Sequence, residues 1–174
     1  MSRLILVLSV ALMLTATVVY GQEPLGAGPK KARTPADYTS RTLKEIASAS
    51  EGEAGDRDGK GGVIYGNVLP SRVRLTFRGS VRSLPEDRKA LLRRWTQRYA
   101  GAPEFYMANY QSEMLFNETG TNHWLTIGKQ LIKQIQNDLN RGDKVDLFLI
   151  RLGSVNGPSE REGLLLVESF QKVK

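Results

Sequence analysis

Leu4 to Val19 carries no charged residue and is interrupted only by Ser9, Thr15 and Thr17. Arg3 stands before it, and Tyr20-Gly21 leads into Gln22-Glu23-Pro24. A basic start, an apolar stretch and a small residue at the end form the pattern of a secretory signal peptide. A membrane-spanning helix needs about 20 predominantly apolar residues, and this run is shorter. The expectation is cleavage after Gly21; an uncleaved membrane anchor is the alternative.

Further along, the pattern turns to strict alternation. In Arg72-Val-Arg-Leu-Thr-Phe-Arg78, Val73, Leu75 and Phe77 fall on one side, and Arg72, Arg74, Thr76 and Arg78 on the other. Period two predicts a half-buried strand, with Gly79 as a bulge or its end. Val63 to Pro70 reads as a weaker strand before it. Ser83-Leu-Pro-Glu86 has the spacing of a capping box. Leu91, Leu92, Trp95 and Tyr99 follow at helical spacing, predicting a helix over about 84–100. The aromatic and apolar run of 105–117 predicts a strand ended by Asn117-Glu-Thr-Gly120. Leu131, Ile132, Ile135 and Leu139 predict a second helix over about 125–140. Val145 to Leu152 is apolar on both faces, so it predicts a central strand covered on both sides. Leu164 to Phe170 predicts a last strand, paired with it as a hairpin.

These elements predict an α+β domain. Its architecture is either a small antiparallel sheet with two helices on one face or an OB-like five-stranded barrel. In such a barrel a helix stands between the third and fourth strands, where 125–140 lies, and the helix over 84–100 is an insertion. Arg141-Gly-Asp-Lys-Val-Asp-Leu-Phe-Leu149 resembles the Gly-Asp-x-Val strand opening of OB-type RNA-binding domains. The resemblance covers about ten residues and bears on fold alone.

Composition divides the rest of the chain near Gly62. Residues 22–62 are rich in Gly, Pro and charge and poor in apolar side chains, which predicts a flexible linker. Leu43 and Ile46 mark a short helix within it, too sparse in apolar positions to stand alone. Residues 63–174 are expected to form the single folded domain. Residues 22–70 are charge-neutral, while residues 71–174 hold 17 Lys/Arg against 11 Asp/Glu, a net of +6. The chain has no Cys. That excludes disulfides, a Cys nucleophile, Cys-based metal sites and lipid attachment through Cys.

Candidate chemistry is sparse. His123 is the single histidine, and no Gly-x-Ser-x-Gly elbow accompanies it. One His without Cys argues against a zinc or transition-metal site. The acidic residues match no calcium loop, and no glycine-rich stretch has the phosphate-loop pattern. Catalytic, metal and cofactor residues are therefore not assigned. Asn117-Glu-Thr119 is a glycosylation sequon. The basic residues form the one suggestive constellation: Arg72, Arg74, Arg78 and, further along, Arg82 on the solvent face of one strand, and Arg88, Arg93, Arg94 and Arg98 on the following helix. The candidate ligand-binding residues are Arg72, Arg74, Arg78, Arg88, Arg94 and Trp124, the last expected half-exposed after a polar turn where it can line a groove. Arg suits bidentate contact with phosphate and carboxylate.

The sequence thus points to an exported, non-enzymatic binding domain, periplasmic or secreted in a bacterium. Its expected ligand is an anionic polymer, a lipid head group or an envelope protein. Nucleic acid is disfavoured because no recognition motif accompanies the charge. Contact with a membrane is expected only if the N-terminal segment is retained. A hydrolase using His123 and an assembly subunit associating by strand pairing are the alternatives. The expected mature N-terminus is Gln22, to be checked by mass spectrometry of the exported protein; an intact Met1 or Ser2 end in the membrane fraction would establish the anchor instead.

Overall fold

The computed structural model describes residues 33–49, 56–57, 63–65, 68–100, 102–154 and 163–173. The expected signal segment 1–21, and residues 22–32, 50–55 and 58–62 of the expected linker, lie outside them. The described strands are β1 Thr39–Ser40, β2 Asp56–Arg57, β3 Val63–Ile64, β4 Ser71–Ser83, β5 Ser112–Glu118, β6 Thr121–Ile127, β7 Lys144–Ser154 and β8 Leu164–Lys172. The helices are α1 Leu43–Ala49, α2 Glu86–Trp95, α3 Pro103–Asn109 and α4 Lys129–Asp138, with a π-helical stretch Thr96–Ala100 after α2.

Five strands close into a barrel in the cyclic order β4-β5-β6-β8-β7 and back to β4. β6 and β8 run parallel, and the other four neighbouring pairs are antiparallel. The fold is therefore α+β, built on a closed mixed barrel, and is consistent with the OB-like alternative. The predicted hairpin is formed by β7 and β8. Along β4 the expected alternation holds: Val73, Leu75 and Phe77 are buried in the barrel, and Arg72 and Arg74 are exposed. Gly79, at φ +82°, makes the bulge that lets β4 continue to Ser83.

The described residues form two apolar cores, on opposite sides of β7. The barrel interior takes Val145, Leu147 and Leu149 with Met114, Phe116, Leu125 and Ile127, and Ile135 of α4 packs against them. Outside, Ile150 and Leu152 pack with Ile64 and with Leu91, Leu92 and Trp95 of α2. Both faces of β7 are thus covered, as its two-sided apolar pattern requires. β3 approaches closely enough that a Cβ on Gly153 would collide with the Val63 carbonyl oxygen.

Four local expectations are corrected. Residues 103–109 are helix α3, not strand: Pro103 opens it, and Tyr106 stacks on Tyr110 one turn on, with ring centroids 5.8 Å apart. The strand begins only at Ser112. Residues 125–127 belong to β6, because Leu125 and Ile127 alternate into the barrel and Thr126 and Ile127 pair with Leu166 and Val167; Gly128 then separates β6 from α4. Ser83 does not cap α2. It ends β4 opposite Ser112, and Pro85 occupies the N-cap.

The fourth correction concerns the tether, part of which is folded. β1 pairs parallel with the start of β4, and Leu43 and Ile46 of α1 enter the barrel core. Glu118 accepts from the Leu43 N–H at 3.1 Å, and buried Arg151 donates to the Ile46 and Ala47 carbonyls at 2.7 and 2.9 Å. Arg33 and the Tyr38 hydroxyl both reach Glu168 at 2.7 Å. Burial, then the Glu168 charge, pushes the Tyr38 phenol well above its ordinary pKa. A helix too short to stand alone is stabilised here by tertiary contacts. Ile46→Ala should cost about 2–5 kcal/mol by denaturant unfolding; a silent substitution would mean that α1 is not part of the cooperative core.

Candidate functional site

On β4 the outward side chains run Arg72, Arg74, Thr76, Arg78 and, beyond the bulge, Arg82. The strand is edged by β7 on one side and β5 on the other. Arg74 forms a bidentate pair with Asp146, Nε to Oδ1 at 2.7 Å and Nη2 to Oδ2 at 3.0 Å. Its side chain still remains 62% exposed. The Asp146 hydrogen bonds, more than its charge, raise the Arg74 pKa. Lys144 reaches across to the Thr76 hydroxyl at 2.9 Å. Arg72 is exposed, with Nη2 3.5 Å from the Ser40 hydroxyl. Neither Arg72 nor half-buried Arg78 has an ion-pair partner among the described residues.

Beside Arg72, an open groove of about 790 Å³ follows Thr39 to Ala49 and adds Arg41 and Lys44 to this end of the row. Arg41 leans on the Pro70 carbonyl and the Ser71 hydroxyl at 3.4 and 3.3 Å. Glu45, which also lines the groove, is turned back onto the Thr42 N–H at 2.6 Å. That hydrogen bond holds its carboxyl below the usual range.

At the other end stands a charge cluster. Glu113, 0% exposed, sits on the outer face of β5. Its Oε2 accepts from Arg82 Nε at 2.7 Å and lies 2.7 Å from Arg82 Nη2 in the ion pair, and its Oε1 accepts from Arg88 Nη1 at 2.5 Å. Arg88 also donates to the Trp124 carbonyl at 3.4 Å. The Arg82 guanidinium lies over the Trp124 ring, 4.2 Å from its centroid. Trp124 is half-buried on β6, directly opposite Leu115 of β5. A cation on an indole face is a favourable contact that leaves the edge of the guanidinium free for other acceptors.

The structure therefore sorts the sequence-derived residues. It aligns Arg72, Arg74, Arg78 and, across β5, Trp124 on adjoining outward strands. It removes Arg88 from the solvent face, because its charge is spent on Glu113 inside the α2–β5 contact. Arg94 is half-buried on α2 and engaged in contacts, so it is not a free cation either. Arg82, expected on the same strand face as Arg72, is the arginine that stands against Trp124. Glu113 was not legible as a site residue: no spacing rule singles it out, and its partners lie 31 and 25 residues away.

His123 lies half-buried on β6 opposite Phe116, and its imidazole has no hydrogen-bond partner among the described residues. No group of three His, Asp or Glu gathers into a metal site among the described residues, and no described helix is long and apolar enough to cross a membrane. No protein-family model matches the chain, and the curated proteins yield no match.

The sorting predicts opposite stability effects for two arginines. Arg88→Ala leaves Glu113 buried with one partner fewer and should cost about 3–5 kcal/mol. Arg72→Ala should leave the unfolding midpoint where it is. Equal midpoints for the two variants in thermal or denaturant unfolding would contradict the distinction.

Proposed function

We propose that this chain is an exported, non-enzymatic binding domain that holds a linear anionic polymer of the cell envelope against the outward face of β4 and its neighbours β5 and β6. The observation that carries this reading is the row Arg72, Arg74, Arg78 and Arg82 on one strand face, ending at the Arg82–Trp124 stack. Outward side chains on a strand recur about every 7 Å, so Arg72 to Arg78 spans roughly 20 Å. A file of cations at that repeat matches a chain of regularly spaced anions better than a single head group. The apolar Leu115 and Trp124 beside it offer flat surface to the body of the ligand. In OB-like barrels the outer face of the second and third strands, here β5 and β6, is a common place for extended ligands.

Arg74 contributes less charge than Arg72 or Arg78, because Asp146 neutralises it. The Arg41 and Lys44 side chains extend the basic surface past Arg72. Attraction to such a face is largely electrostatic, so it weakens as salt rises. The hydrolase reading takes no support from His123, which lacks the hydroxyl or carboxylate partner that nucleophilic or general-base work requires.

Heparin serves as the probe, with uncharged dextran as the control. The full chain should bind heparin with an affinity that falls as NaCl rises, and Arg72→Ala/Arg78→Ala should bind roughly tenfold more weakly at low ionic strength. Unchanged affinity in the double variant, or equal binding to dextran, would sink the reading. Vesicles with and without phosphatidylglycerol test the lipid alternative: preference for them over heparin would place the ligand in the membrane surface.

A further inference from the structure

We infer that Glu113 is the positioning residue of this face: it sets the Arg82 guanidinium on Trp124 with its free edge turned to the ligand. The inference rests on the binding role proposed for the strand face. It explains a feature that role alone does not, namely why a carboxylate lies fully buried at the edge of a surface meant for anions.

The geometry divides the labour between the two carboxylate oxygens. Oε2 accepts the Arg82 Nε hydrogen bond and stands at ion-pair distance from Nη2, which fixes the long side chain along one edge. Oε1 receives Arg88, whose backbone is held in α2 and whose guanidinium also touches the Trp124 carbonyl. Glu113 is thereby clamped from below by a buried cation and cannot follow Arg82 outward. Arg82 is left 40% exposed, flat on Trp124, with Nη1 uncommitted among the hydrogen bonds of the described residues. A guanidinium held in this way keeps donors free for an oxyanion while losing little rotamer freedom on binding. The ligand group it suits is a sulfate, carboxylate or phosphate on a ring or chain that also lies against the indole.

Charge and positioning predict opposite signs here. The cluster holds two Arg and one Glu. Replacing Glu113 by Gln raises its net charge by one, so a purely electrostatic surface should bind heparin more tightly. If Glu113 positions Arg82, the same change should weaken binding despite the added positive charge.

The test measures heparin affinity for full-length wild type, Arg82→Ala, Glu113→Gln and the double variant, with unfolding curves taken in parallel. The expected result is weakening by about tenfold for Glu113→Gln and for Arg82→Ala, with no additional loss in the double variant, the non-additivity of residues acting as one unit. Glu113→Asp keeps the charge but shortens the reach, so it should weaken binding too; this variant decides the matter if Glu113→Gln does not fold. Tighter binding by Glu113→Gln, wild-type binding by Glu113→Asp, or an undiminished Glu113→Gln effect in the Arg82→Ala background would each overturn the inference. If Arg82→Ala and Arg72→Ala/Arg78→Ala all bind like wild type, the strand-face reading itself falls, and this inference with it.

Discussion

Six residues of β4 pair with β7, from Ser71 opposite Leu149 to Thr76 opposite Lys144, and this ladder closes the barrel. Closure removes the strand edges that an open sheet of the same strands would leave. It also gives every strand an inside and an outside. Once Val73, Leu75 and Phe77 fill the interior, Arg72, Arg74 and Arg78 have no choice but the outer face. A one-residue slip would bury the arginines and expose the core, so the register is strongly held. The basic row is therefore a by-product of closure in its direction, though not in its composition, since any polar residue would satisfy the outer positions.

The second dependence runs through β7. Its outward Ile150 and Leu152 need cover, and α2 with the π-helical stretch and α3 supplies it. Seating α2 there brings Arg88 into the barrel wall near Glu113, and Glu113 then holds Arg82. Covering the outer face of β7 and arranging the end of the Arg row are linked by one buried carboxylate. A buried ion group of this kind is weak evidence for stability in itself, because desolvation opposes the Coulomb gain. Its value lies in orientation: two cations from distant parts of the chain are held in a fixed relation to one tryptophan. Helix α1 plays a comparable part at the far end of β7. There Arg151 satisfies the last carbonyls of α1, while Leu43 and Ile46 complete the interior.

Where the chain's local pattern was unambiguous, it was sufficient. The alternation from Arg72 to Arg78 and the doubly apolar run from Val145 to Leu152 correspond to the element and the burial they predict, as do Leu91, Leu92 and Trp95 of the helical stripe. Tyr99, expected in that stripe, is exposed instead, because the chain passes into a π-helical turn at Thr96–Ala100 and leaves the α-helical period. The local pattern is ambiguous where apolar content is dense without a clear period. Phe105, Tyr106 and Met107 suit either a strand or a short helix, and packing against α2 selects the helix. Leu125 and Ile127 fall within the bounds expected of the helix over 125–140, because a single Gly128 separates the strand from the helix and no turn signal stands between them. The candidate site divides in the same way. Arg72, Arg74, Arg78 and Trp124 were visible as residue types at a spacing; the fates of Arg88, Arg94 and Glu113 were not.

The amino-acid sequence by itself determined which side chains each strand and helix turns inward, because that depends on a period of two or 3.6 residues and on nothing far away. It also determined the excess of positive charge in residues 71–174 and the absence of thiol chemistry. Only the tertiary structure decided that residues 33–49 belong to the fold, that the strands close rather than lie open, that Arg82 stacks on Trp124 and that Arg88 turns inward to Glu113. Each of these turns on contacts between residues 25 to more than 100 positions apart. Their energies come from shared burial and paired charge, and no local pattern carries them.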